Sequence, residues 1–245
     1  VLALSWPSGR VLWRVPNNRG HDVQGLPNGH ALFTLDAARR VVEIDQDQKV
    51  VWSYGTGEGL EVPLAAQRLE NGNTLIGDAR LGRVIEVDKT RRIVWSYENP
   101  DLANMRMRNC RRTPAGTTLI AIEAAGKIIE VDSNGQIVWS YVAPDAEHRY
   151  PYQAHRLPNG NTLVSLANPG EVVEVDKAGS IVRSIGGNRM DIRLGWVSGT
   201  QPLPNGGLLL SDYSGRRLLE VDASGHVVHS LNTGARAIAS ISLLP

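Results

Sequence analysis

One unit recurs along this 245-residue chain with little disguise, and such a repeat constrains the fold more than any single motif does. Its first half reads Gln24-Gly-Leu-Pro-Asn-Gly, Gln67-Arg-Leu-Glu-Asn-Gly, His155-Arg-Leu-Pro-Asn-Gly and Gln201-Pro-Leu-Pro-Asn-Gly, with a looser copy at Arg111-Arg-Thr-Pro-Ala-Gly. Its second half reads Val41-Val-Glu-Ile-Asp, Val84-Ile-Glu-Val-Asp, Ile128-Ile-Glu-Val-Asp, Val172-Val-Glu-Val-Asp and Leu218-Leu-Glu-Val-Asp, each leading to a run like Ile93-Val-Trp-Ser-Tyr. The Trp of that run, or the residue in its place, falls at Trp13, Trp52, Trp95, Trp139, Arg183 and His229, which marks six units at steps of 39 to 46 residues.

Each full unit holds four short runs rich in β-branched and other apolar residues, parted by turn signals and free of helical periodicity. Asn-Gly supplies the positive φ that a tight hairpin needs between the first and second runs. Asp-x-x-Gly, as in Asp132 to Gly135, does the same between the third and fourth. Four strands at this period is propeller spacing. The expected fold is therefore all-β, a six-bladed propeller of four-stranded blades forming one domain over residues 1–245. Ala239 to Leu244 reads as a first strand, and Val1 to Leu4 and Arg10 to Val15 read as a third and a fourth, so the last blade is expected to be shared by the two ends. No full second strand can be read for it.

Charge narrows the partners. Lys and Arg number 26 against 25 Asp and Glu, interspersed throughout, which gives no footprint for nucleic acid or a membrane surface. No apolar stretch approaches the roughly 20 residues needed to span a bilayer. The lone Cys110 can form no intrachain disulfide, and no Cys/His spacing suggests a structural metal, so neither a cofactor nor a metal is expected. A monomer is expected.

Residues that recur in most blades build blades, so the repeated Trp, Glu and Asp are expected to be structural. Function is expected on the face opposite the tight turns, where the connections vary. Counting back seven residues from the Asn of Asn-Gly, or its equivalent, reaches the start of each innermost strand beside the channel: His21, Leu64, Arg108, Tyr152 and Ser198. With their neighbours they give the candidate ligand-binding set His21, Asp22, Glu61, Arg106, Arg108, Tyr152, His155 and Trp196. In a pocket, His21 would serve as an acid or base, an arginine would grip an anion, and Tyr152 or Trp196 would stack.

Leu157-Pro-Asn-Gly-Asn-Thr-Leu163 and Gly135-Gln-Ile-Val-Trp-Ser-Tyr141, with Gly20-His-Asp-Val-Gln-Gly-Leu-Pro-Asn-Gly29 and Gly195-Trp-Val-Ser-Gly-Thr-Gln-Pro-Leu-Pro-Asn-Gly206, resemble the bacterial propellers of the pyrroloquinoline-quinone-like or arylsulfotransferase-like repeat group. The resemblance covers nearly the whole chain and implies an extracytoplasmic, periplasmic or secreted protein. Quinone enzymes imply a larger ring and an adjacent cysteine pair, which this chain lacks. Arylsulfotransferases imply channel His and Arg residues, to which His21, His155 and Arg108 correspond by position. Two functions follow as expectations. The first is a noncatalytic module that binds a small polar molecule, a glycan or a protein on the loop-bearing face. The alternative is a transferase or hydrolase with His21 and Arg108 in the channel.

Overall fold

The computed structural model describes residues 1–16, 20–55, 57–187, 192–234 and 238–243. A hairpin of β1 (Leu2–Leu4) and β2 (Val11–Arg14) opens the chain. The first blade is β3 (Val23–Gly25), β4 (Ala31–Leu35), β5 (Arg40–Ile44) and β6 (Val50–Tyr54). The second is β7 (Pro63–Arg68), β8 (Thr74–Asp78), β9 (Arg83–Val87) and β10 (Ile93–Glu98). The third is β11 (Met107–Arg112), β12 (Thr118–Ile122), β13 (Lys127–Val131) and β14 (Ile137–Val142). The fourth is β15 (Pro151–Arg156), β16 (Thr162–Leu166), β17 (Glu171–Val175) and β18 (Ile181–Gly186), and the fifth is β19 (Val197–Pro202), β20 (Leu208–Asp212), β21 (Arg217–Val221) and β22 (Val227–Asn232). Every blade is an antiparallel meander of consecutive strands.

The turn chemistry is as the repeat dictates. Gly29, Gly72, Gly116, Gly160 and Gly206 all take φ between +77° and +86°, the left-handed region a β-carbon resists. At the other turn, Oδ1 of Asp45, Asp88, Asp132, Asp176 and Asp222 accepts the N–H four residues on at 2.8–3.0 Å. At Asp88 the Thr90 hydroxyl, then the Arg92 N–H, donate to the half-buried carboxyl and hold it down at about 2.

The repeated Trp and Glu are joined by an arginine from the following blade. Arg68, Arg112 and Arg156 end the inner strands of blades two to four, and each pairs with Glu43, Glu86 or Glu130 of the blade before at 2.5–2.7 Å. Each guanidinium also lies 4.7–5.2 Å above the ring of Trp52, Trp95 or Trp139. The indoles of Trp95 and Trp139 donate to the next blade's turn carbonyls, Ser133 O and Lys177 O. The fifth blade lacks this clamp: Pro202 stands in the arginine's place and Arg183 in the tryptophan's. Arg112→Ala is expected to cost about 2–3 kcal/mol in urea unfolding, since it strands a half-buried Glu86 and uncovers Trp95; Arg112→Lys, which keeps charge but loses the planar fork, should fall between.

Among the described residues the ring has five four-stranded blades, not six, and none of these blades is shared by the ends. The β1–β2 hairpin pairs with nothing else among the described residues. Residues 238–243 form no strand, and Leu244 lies outside the described residues. The physical reason is that a blade's inner and third strands meet only through its second strand, and among the described residues no strand lies between residues 238–243 and β1. The hairpin instead plugs the sector between the fifth and first blades. Its Trp6 indole donates to Glu220 Oε2 at 2.7 Å and meets His229 edge-on, while Val1, Trp13 and Val15 pack on the first-blade core around Phe33 and Val42. Residues 238–243 lie against the two flanking inner strands: Ser198 Oγ donates to the Ile238 carbonyl, and the Gly25 N–H donates to Ser242 Oγ at 3.0 Å. Gly199 permits this approach, because a β-carbon there would sit 3.1 Å from Ile241 N.

Candidate functional site

In blades two to five the inner strand carries a β-bulge, with register breaks across Pro63/Ala65, Met107/Asn109, Pro151/Gln153 and Val197/Gly199. The residue skipped in each is the one seven positions before the turn: Leu64, Arg108, Tyr152 and Ser198. A bulge bends its strand and redirects a side chain, and here it does so at the start of every full inner strand. The equivalent in the short first strand of blade one is His21, whose N–H donates to Thr34 Oγ1 at 3.1 Å.

His21, Arg108 and Tyr152 converge. The Tyr152 hydroxyl lies 3.2 Å from His21 Nδ1, and the Arg108 guanidinium lies 5.5 Å from the centre of the Tyr152 ring. Arg108 Nε also donates to Glu123 Oε2, while Glu123 Oε1 accepts from Arg106 at 3.1 Å. Burial, then the Arg108 charge, lowers the His21 pKa, and burial pushes the Tyr152 hydroxyl up, so both are neutral near pH 7. Trp196, half-stacked on Tyr150 at 6.1 Å, and Tyr213, 43% exposed, complete an aromatic rim. All these except Arg106, Glu123 and Tyr150 line one cavity of about 1520 Å³, which runs on from the channel mouth into the sector beside the amino-terminal hairpin.

Of the other expected site residues, Asp22 also borders this cavity, whereas Glu61, Arg106 and His155 do not. Asp22 is 3% exposed and belongs to the frame of the ring: its carboxylate accepts from both Arg111 terminal nitrogens at 2.8 Å, from the Ala66 N–H at 3.0 Å and from Ser240 Oγ at 3.0 Å. Glu61 pairs with Arg39 at 3.1 Å across a separate cavity of about 330 Å³ on the same face. Arg106 is largely exposed beyond the cavity wall. His155 sits deeper, beside Thr200 and Arg111; its Nε2 is buried without a hydrogen-bond partner, and burial, then Arg111, pushes its pKa down to about 4. Cys110 is buried with its thiol pushed up to about 12 by desolvation, which leaves it unreactive. Among the described residues no three His, Cys, Asp or Glu side chains group closely enough to hold a metal ion. Among the described residues no helix is long and apolar enough to cross a membrane.

Sequence reasoning did not single out Tyr213, which follows β20, or the buried partner Arg111. The clue to Tyr213 was its place just after Asp212, in the same variable loop class that carries Glu123. Arg111 carried no local clue, since it meets Asp22 across 89 residues of chain.

Residues 1–176 match the family model described as outer membrane protein assembly factor BamB, built of pyrroloquinoline-quinone-like repeats. No curated protein matches the chain. Among solved structures, a protein of unknown function from Bacteroides caccae superposes with a TM-score of 0.81 at 23% identity, over 95% of this chain and 90% of that one. Virginiamycin B lyase from Staphylococcus aureus, a catalytically inactive H270A form with quinupristin, gives 0.67 at 14% identity over 86% and 69%. Hydrazine synthase of Kuenenia stuttgartiensis gives 0.65 at 13% identity over 96% and 92%. These likenesses are of fold.

Proposed function

We propose, because the chain belongs to the pyrroloquinoline-quinone-like repeat family of the outer membrane protein assembly factor BamB, that it is a noncatalytic binding module working outside the cytoplasm, whose channel mouth holds a small polar ligand with a flat apolar face, such as a sugar ring. The observation that carries this reading is the convergence of His21, Arg108, Tyr152, Trp196 and Tyr213 from four blades on one cavity. Aromatic faces suit the apolar side of a sugar, while a neutral imidazole and the free guanidinium nitrogens of Arg108 suit its hydroxyls. Glu123 balances the Arg108 charge, so the mouth favours a neutral ligand over a strong anion.

Thermal shift against a panel of mono- and oligosaccharides and small polar metabolites tests this. A ligand raising Tm is expected, with affinity by calorimetry falling at least about tenfold in Arg108→Ala and in Tyr152→Ala. No shift across the panel would remove the reading for small ligands. A catalytic reading has one observation in its favour: His21, held neutral with Nδ1 at the Tyr152 hydroxyl, is in the state a general base requires. It predicts turnover of aryl sulfates or related esters that His21→Ala abolishes without unfolding, whereas the binding reading predicts none.

A further inference from the structure

Beside the channel mouth, on the same face, the smaller cavity of about 330 Å³ opens between the first and second blades, lined by Asp36, Ala37, Arg39, Glu61, Val62 and Arg80. Its walls are set by backbone bonds. The β4–β5 loop is closed by the Arg39 N–H, which donates to the Asp36 carbonyl at 3.0 Å and leaves Arg39 at φ +53°. The opposite wall hangs on the fully buried Asp78 carboxylate, which accepts the Glu61 and Val62 N–H groups at 2.9 and 3.0 Å. The Val62 carbonyl in turn accepts the Ala79 N–H at 3.0 Å, and Arg80 follows directly. The charges around this space are balanced but not all paired. Arg39 and Glu61 hold each other at 3.1 Å. Asp36 and Arg80 face the same cavity and form no ion pair: Asp36 Oδ1 accepts the Ala37 N–H at 2.8 Å, Oδ2 accepts nothing, and the Arg80 guanidinium has no partner among the described residues.

We propose that this cavity is a binding site for the zwitterionic head of an α-amino acid, with its ammonium on Asp36 and its carboxylate on Arg80. The balance of the lining excludes simpler ions. A lone anion would also face Asp36 and Glu61, and a lone cation would also face Arg39 and Arg80, whereas a zwitterion presents the right sign to each. The planar guanidinium suits a carboxylate in two bonds at once, and the free carboxylate oxygen suits the N–H groups of an ammonium. Among the described residues no aromatic side chain lines the cavity, which separates its ligand from the flat-faced one at the mouth. Ala37 and Val62 supply the apolar contact, enough for a small aliphatic side chain. At about 330 Å³ the space stands at the lower end of the roughly 300–1,000 Å³ of small-molecule sites, so it fits one amino acid and not a longer peptide. The two sites are adjacent, since Asp36 also borders the larger cavity, but His21, Arg108 and Tyr152 take no part in this one.

Isotope-labelled protein is titrated with glycine, the minimal zwitterion, and with L-valine, and followed by its amide NMR shifts. Saturable shifts at Ala37, Arg39, Glu61 and Arg80 are expected, with Kd on the order of 0.1–10 mM because the charges are partly exposed. N-Acetyl-L-valine has no ammonium and L-valinamide no carboxylate; each should bind at least about fivefold more weakly than L-valine. Asp36→Asn and Arg80→Gln should weaken L-valine binding by a similar factor. Arg80 is exposed and bonded to nothing among the described residues, so Arg80→Gln tests the site even should Asp36→Asn disturb its loop. No saturable shift with either amino acid would overturn the proposal, as would equal binding of the acetylated or amidated forms, or affinity indifferent to Arg80→Gln. Shifts that sodium chloride reproduces at equal concentration would overturn it too, because the cavity would then collect separate ions only.

Discussion

Asp22→Ala is expected to remove about 3–5 kcal/mol of stability and to loosen the ring where its two ends meet. Asp22 and Arg111 are 2% and 12% exposed in their side chains, so deleting the carboxylate leaves a guanidinium in a site water hardly reaches. The same carboxylate accepts from Val23 and Ala66 and from Ser240, and so ties the first blade to the second, to the third through Arg111, and to residues 238–243. Urea unfolding measures the loss. Asp22→Asn, which keeps an acceptor but no charge, should lie between wild type and alanine. The double variant Asp22→Ala/Arg111→Met should recover at least half of the deficit, because no charge is then stranded. Equal losses in the single and double variants would mean that the backbone acceptors, rather than the ion pair, carry the effect.

How much of this was legible follows the range of the interactions. The turn aspartates and Asn-Gly hairpins act within four residues, so their sequence spacing already contained their geometry. The seven-residue offset to the channel was legible for a related reason: a strand's rise is fixed, so counting from a turn locates its far end. It reached the bulge residues Arg108 and Tyr152 without revealing that they are bulged. Asp22 was read as a ligand group because it neighbours His21. Only the fold reveals that Arg111, 89 residues on, takes up its carboxylate.

The number of blades exposes a different limit. Trp13 keeps the repeat's period, and period alone counts it as a sixth unit; yet a blade exists only where four strands share hydrogen bonds. The tryptophan mark is carried by the fourth strand, so it reports that a fourth strand is present and is silent about the second. Similarly, the recurring Glu and Trp could be assigned to blade-building by symmetry. Their actual partner, the arginine ending the next inner strand, was visible as Arg68, Arg112 and Arg156 but not readable as a clamp until Glu43, Glu86 and Glu130 were placed opposite.

His155 supplies the second large effect, and its sign is definite. Above pH 6.5 the imidazole is neutral in folded and unfolded chains alike and contributes no pH dependence. Between pH 6.5 and about 4 the unfolded chain takes up a proton that the folded ring refuses, so stability falls as pH falls through that window. Below about 4 the deficit is complete, at about 3 kcal/mol for a shift of this size. His21, also lowered, acts in the same direction, and protonation of the carboxylates adds its own decline. His155→Gln separates these contributions: all other groups titrate as before, so the stability lost between pH 7 and pH 4 should shrink by about 3 kcal/mol in urea unfolding relative to wild type. An unchanged loss would show that the ring accommodates the imidazolium. The cause lies in the fold, since the proton would have to enter beside Arg111, whose charge already answers Asp22, at a ring nitrogen that no acceptor faces. The interior of the channel therefore holds the Asp22–Arg111 pair already balanced, and the neutral His155 adds no second positive charge beside it at neutral pH.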